Sequence, residues 1–208
     1  MADLGIFIIL SILLLIFTLS FFTAKSAEID DTTLAANYVL LQLWMIIAYG
    51  VDGFAFAAES LMGKYYGARD RKNMKKTINY SFAWGISLGL ALSIFYLLFG
   101  RELLSIYTSQ FEVIDTAMMF IPWIIISPVI NSISFIWDGI YFGLTATREM
   151  LYCMIISTVI FFLPSYYLTR NIFDNHAIWF SLTIFMFVRG FTLTVNFVRR
   201  TNKNHNIY

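Results

Sequence analysis

The sequence predicts an all-α membrane protein, a bundle of six transmembrane helices. Three observations predict it. Apolar residues make up 59% of the 208 positions and charged residues only 13%, whereas a soluble domain carries nearer about a quarter charged. The apolar residues fall in runs of about 20, the length that crosses the hydrocarbon core as a helix. The runs are continuous rather than alternating, which favours helices over a barrel, the other architecture that satisfies its backbone in lipid.

The spans are expected at about 5–23, 36–63, 77–99, 116–145, 151–169 and 177–198, within a single membrane domain over 1–208. Span one ends Phe22-Thr23-Ala24-Lys25-Ser26-Ala27, which has the small residues of a signal-peptide cleavage site. Its start, Met1-Ala2-Asp3, lacks the positive charge of a signal peptide, and its apolar run exceeds a usual signal core, so it is expected to be retained. Pro122 and Pro128 predict a kinked, long fourth helix. Pro164 falls late in span five.

Loop charges predict the orientation. Lys64, Arg69, Arg71, Lys72, Lys75, Lys76, Arg148, Arg199, Arg200 and Lys203 collect on one side, against Lys25, Arg101 and Arg170 on the other. The first side is expected to be cytoplasmic, with both termini there. The outer side carries Glu28, Asp30, Asp31, Glu102, Glu112, Asp115 and Asp174. The basic loop from Arg69 to Lys76 reads first as a cytoplasmic anchor at the membrane lipid surface. A bacterial inner membrane suits this pattern.

Several function classes drop out. A net charge of +1 provides no basic surface for a nucleic-acid partner. Cys153, the one cysteine, has no disulfide partner in the chain and reads as packing. His176 and His205 lie near segment ends with no metal-ligand spacing. No catalytic triad, HExxH motif or P-loop is present, so neither an enzyme nor a bound cofactor is expected.

Four ionisable residues fall inside spans: Asp52, Glu59, Asp138 and Arg189. Each must face a partner, a cavity or water, and each is a functional candidate on that ground. Asn131, Ser134, Asp138, Tyr141 and Thr145 recur three and four residues apart, so they share one stripe of span four. Such a stripe lines an aqueous cavity or a polar helix interface. Asp138 lies ten residues before Arg148, roughly 15 Å along a helix, which is near the bilayer middle. A carboxylate there can exchange a proton or bind a monovalent cation; the alternative is an ion pair with Arg189 that only holds helices together. Tyr49, Asp52, Phe56 and Glu59 share a face of span two by the same spacing. Asp52 sits deep, and its structural and coupling readings weigh equally. Glu59 is expected to bridge to Lys64. Arg189 is permanently charged and must meet a carboxylate, with Asp138 the attractive one. Trp137 beside Asp138 and Trp123 deep in span four could stack an aromatic cation, while packing against lipid is the expected role of most of the tryptophans.

Specific blocks carry a family resemblance. Span two and its loop contain Leu34-Ala35-Ala36-Asn37, then Asp52-Gly53-Phe54-Ala55-Phe56-Ala57-Ala58-Glu59-Ser60-Leu61, then Gly67-Ala68-Arg69. Span four contains Phe135-Ile136-Trp137-Asp138-Gly139-Ile140-Tyr141-Phe142-Gly143, continuing through Leu144 to Met150. From about 21 to 200 the chain resembles the multidrug and toxic compound extrusion (MATE) family, with the DNA-damage-inducible protein F type as the nearest subgroup. The resemblance implies the second of two six-helix lobes around a central cavity. It implies export of organic cations and other amphipathic compounds in exchange for protons or sodium ions. Asp138 matches the family's acidic position on its tenth span, where some subgroups help bind the coupling cation. Arg189 falls where the subgroup often has arginine. Two departures stand: the first lobe, with its coupling acid, has no counterpart, and residues 1–19 match poorly.

The reading is therefore a proton- or sodium-coupled antiporter of small organic compounds, as a half-length lobe that needs an N-terminal lobe or a second copy. A lipid-linked oligosaccharide flippase is one alternative, though it wants more basic residues than Arg189 in its cavity. A non-transporting remnant or assembly subunit is the other.

Overall fold

The computed structural model describes residues 2–203; His205 lies outside them. Among the described residues, six crossings are long and apolar enough to span a membrane. They are α1 (Ala2–Ala27), α2 (Asp31–Gly67), α3 (Arg71–Tyr107), α4 (Phe111–Gly143), a composite fifth crossing, and α7 (Asn175–Lys203). The fifth consists of α5 (Thr147–Ile155), a π-helical segment (Ile156–Phe162) and α6 (Leu163–Phe173). Short turns join them, so successive crossings run antiparallel.

Polar caps, rather than the limits of apolarity, set the ends of α2 and α3. Asp30 accepts hydrogen bonds from the Thr33 N–H at 2.8 Å and the Thr33 hydroxyl at 2.7 Å. Asp70 accepts from the Asn73 N–H at 3.1 Å and its side-chain amide at 2.6 Å. Each carboxylate satisfies donors that a helix start leaves open. The Asp30 cap starts α2 at Asp31, ahead of the apolar run at 36–63, and backbone bonds from Ala68, Arg69 and Asp70 back to the last turn close it after Gly67.

α4 is the central helix, and glycines let its neighbours reach its backbone. A Cβ on Gly139 would stand 2.1 Å from the Ala55 carbonyl oxygen of α2. One on Gly143 would stand 2.5 Å from the Glu59 carbonyl oxygen. From the other side, a Cβ on Gly89 of α3 would meet the Pro128 carbonyl oxygen at 2.8 Å. In lipid, helices associate by close packing rather than by exclusion of water, and small residues permit it.

α4 continues through Pro122 and Pro128 without interruption. At Pro128 the missing N–H would have bonded the Ile124 carbonyl, which instead accepts from the Ser127 hydroxyl at 3.1 Å. This re-satisfies the freed carbonyl. The non-helical backbone appears in α3 instead, at Phe99 (φ −122°, ψ 19°). In the fifth crossing the Leu163 N–H bonds the Thr158 carbonyl, five residues back. This widened turn lies immediately before Pro164, whose ring would press on the carbonyl four residues upstream in a regular α-helix.

Two apolar clusters fill the bundle. One, around Leu40, Leu43, Tyr96, Ile124, Trp179 and Phe185, lies toward the α1–α2 turn. The other, around Ile47, Met62, Ile136, Ile140, Tyr141 and Leu193, lies toward the α2–α3 turn. Between them along α4 come the buried polar residues Ser127, Asn131, Ser132 and Ser134.

Gly139→Ala is expected to destabilise the chain by about 1–3 kcal/mol, because the backbone of α2 must shift to admit the methyl group. Gly53→Ala meets nothing within 4 Å and serves as the control, neutral or slightly stabilising. Unfolding in detergent micelles distinguishes the two. The caps carry a pH signature. The Thr33 hydroxyl and N–H hold the Asp30 carboxyl below its ordinary value, and the Asn73 N–H and amide do the same for Asp70. A depressed carboxyl contributes stability that is complete above its unfolded pKa, about 3.9, and is lost as pH falls through the lower folded value. The melting midpoint should therefore fall more steeply below about pH 4 in the native chain than in an Asp30→Asn/Asp70→Asn variant.

Candidate functional site

The polar stripe of α4 faces α7. The Ser134 hydroxyl donates to the Met186 carbonyl at 2.7 Å, and the Tyr141 hydroxyl donates to the Leu193 carbonyl at 2.8 Å. The Trp137 indole N–H donates to the Thr194 hydroxyl at 2.7 Å. Gly190 permits this seam, since a Cβ there would lie 3.0 Å from Ser134 Oγ. Asn131, Ser134 and Tyr141 are buried. The stripe thus forms a polar helix interface, with α7 packed directly onto it. Thr145 has left the stripe: it is exposed in the α4–α5 turn with φ 54°.

Within that seam the guanidinium of Arg189 donates through Nη2 to Asp138 Oδ2. The pair is nearly closed off, with side-chain exposures of 9% for Arg189 and 14% for Asp138. The contact is single. Asp138 Oδ1 and Arg189 Nη1 are buried without a hydrogen-bond partner, as is Asn131 Nδ2. A buried ion pair is well held only when its remaining hydrogen-bonding positions are filled. This one retains unused capacity on both partners.

The open polar face belongs to α2. Tyr49 is 71% exposed and Phe56 65%, while Asp52 and Glu59 on the same face are half-buried. Asp52 is not in the ion pair; it lies one turn before Ala55, where α2 meets Gly139 next to Asp138. Glu59 has no ion-pair partner among the described residues, contrary to the expected bridge to Lys64. Five residues apart, the two point to different sides of the helix, and Lys64 Nζ lies 5.6 Å from the centre of the Tyr65 ring.

The tryptophans also depart from expectation. Trp137 is buried between Phe82 and Phe197, with ring centroids at 5.0 and 4.8 Å, so it offers no free face to a ligand. Trp123 is not deep: its N–H donates to His176 Nδ1 at 3.1 Å, beside the first turn of α7. Among the described residues, no three His, Cys, Asp or Glu side chains gather to hold a metal ion.

One buried network escaped the sequence reading. The Asn37 and Asn175 amides exchange hydrogen bonds at 2.7 and 3.0 Å. Asn37 also donates to Ser26 Oγ at 2.8 Å and accepts from the Trp179 N–H at 2.8 Å. The available signal was an uncharged amide placed among apolar residues of α2.

The MatE family model matches residues 5–168. The chain belongs to the MatE family. Members of the family are secondary transporters, not enzymes. The chain is 32% identical over 171 residues to DNA damage-inducible protein F of Escherichia coli, covering 82% of this chain and 37% of that protein. It is 25% identical over 176 residues to the probable multidrug resistance protein NorM of Photorhabdus laumondii, covering 82% of this chain and 39% of that one. The fold superposes on the Vibrio cholerae MATE transporter VcmN in its bent form with a TM-score of 0.85 at 15% identity. That match covers 96% of this chain and 45% of the transporter. The chain thus spans 37% and 39% of these two bacterial relatives and 45% of the transporter, as one six-helix lobe would.

Arg189→Leu is expected to cost about 3–5 kcal/mol by leaving the Asp138 charge buried and alone. Adding Asp138→Leu should return most of that loss, since an apolar pair needs no partner. Unfolding of the two variants in detergent provides the comparison.

Proposed function

We propose that this chain is the C-terminal lobe of a cation-coupled antiporter that exports drugs or other amphipathic organic compounds. The observation that carries the reading is the buried Asp138–Arg189 pair, next to the Gly139 contact with α2, whose open face holds Asp52. A proton or sodium ion that reaches Asp138 competes with Arg189 for its carboxylate. Neutralising Asp138 frees the guanidinium, alters the α4–α7 seam, and can bias a lobe between two packings. The exposed aromatics Tyr49 and Phe56 supply contacts for an amphipathic substrate. A second lobe, or a second copy, supplies the facing wall.

The termini and the α2–α3 and α4–α5 turns lie on the cytoplasmic side in this proposal, because that side holds the basic residues. The membrane is a bacterial inner membrane. A lobe that is silent alone is favoured over a complete transporter by one fact: the chain spans 37% to 39% of its bacterial relatives.

The test is dye efflux from vesicles driven by a proton or sodium gradient, with the chain alone and with a second lobe added. Efflux is expected only in the second case. Asp138→Asn should reduce it to the level of empty vesicles while the protein stays in the membrane. Undiminished efflux from that variant would remove Asp138 from the mechanism.

A further inference from the structure

We propose that the cavity between the α1–α2 and α6–α7 turns binds the headgroup of a phospholipid bearing both a phosphate and a primary ammonium, as phosphatidylethanolamine does. The cavity measures about 250 Å³ and is lined by Lys25, Glu28, Tyr166, Arg170, Asn171 and Asp174, among others. It opens at one end of the bundle, where the crossings end. α6 carries Tyr166 and Arg170 into the cavity and turns Leu168 and Ile172 to its other side, 75% and 73% exposed, so the same bundle end also offers apolar surface to acyl chains.

The charges are arranged in two pairs, one closed and one open. Lys25 is bridged to Glu28. Arg170 and Asp174 have no ion-pair partner among the described residues, and the Arg170 guanidinium rests 5.2 Å from the centre of the Tyr167 ring. A free cation and a free carboxylate therefore face one cavity. They match a phosphate and an ammonium, and the phosphate is the better partner for a guanidinium fork. A quaternary ammonium has no N–H to give Asp174. A headgroup with no cation would leave the Asp174 carboxylate uncompensated.

The backbone indicates that the Asp174 side chain matters. Its φ of 48° with ψ −129° is a conformation glycine adopts freely and a side chain strains. The floor of the cavity is rigid, because Asn175 lines it and is locked into the buried Asn37–Trp179–Ser26 network. A fixed floor limits the ordering cost of binding.

The experiment is native mass spectrometry of the full chain in mild detergent, titrated with phosphatidylethanolamine, phosphatidylcholine and phosphatidylglycerol of equal acyl chains. Phosphatidylethanolamine should be held about tenfold more tightly than the other two, as expected for charge-assisted hydrogen bonds that only it completes. Asp174→Gly relieves the backbone, so its melting midpoint should hold or rise while the preference over phosphatidylcholine disappears. Arg170→Gln should weaken phosphatidylethanolamine and phosphatidylcholine together. Equal retention of all three lipids by the native chain overturns the proposal, as does an undiminished preference in Asp174→Gly. Free phosphoethanolamine should displace the lipid only weakly; displacement at concentrations comparable to the lipid's would assign the site to a soluble zwitterion and overturn the lipid assignment.

Discussion

The backbone of α4 touches the backbone of α2 at Gly139 and the backbone of α3 at Gly89, and the remainder of the lobe is arranged around these contacts. In lipid there is no water to squeeze out between helices, so contact distance largely determines whether two helices associate. α4 is gripped on two sides by close backbone approach. Its third side is left for hydrogen bonds to α7. That division places Asp138, the neighbour of Gly139, where Arg189 can reach it, and leaves α2 with one face against α4 and the opposite face open.

Polarity is distributed accordingly. Along the seam, side chains from α4 complete their hydrogen bonds on α7 carbonyls at Met186 and Leu193. The ion pair at the same level is less complete, with an oxygen and a nitrogen unused. A seam whose Ser134 and Tyr141 hydroxyls are satisfied and whose charged members are not is firm in register and responsive in charge. Partly satisfied buried networks are where a small change in protonation or solvation has the largest effect.

Six crossings were legible because continuous apolar length is a property of the chain read in one dimension. The faces were not. Asn131–Ser134–Asp138–Tyr141 on α4 and Tyr49–Asp52–Phe56–Glu59 on α2 have the same three-and-four spacing, and nothing in either stripe says which will be covered. The structure covers the first and leaves the second open, because Gly190 allows α7 to lie against Ser134. The Asp138–Arg189 pair was legible as a chemical necessity, since an intramembrane arginine must find a carboxylate. Glu59 and Lys64 are close in sequence but lie on different sides of α2, so no bridge forms between them. The Asn37–Asn175 pair joins residues 138 positions apart, a separation at which sequence offers no register.

The widened turn at Ile156–Phe162 has an accounting effect on the fifth crossing. From Thr147 into the start of the turn, burial follows one helical side, at Thr147, Met150, Leu151, Cys153, Met154, Ser157 and Thr158. Continued at 3.6 residues per turn, that rhythm would next bury Phe161 and then Ser165. The buried residues are instead Phe162 and Tyr166, with Phe161 41% exposed. One residue has been absorbed as girth. The two halves of the crossing therefore keep separate phases, and a single-residue deletion within the bulge would rejoin them by rotating one half about 100° against the other. Tyr166, which lines the polar cavity at the bundle end, owes its inward aim to that extra residue.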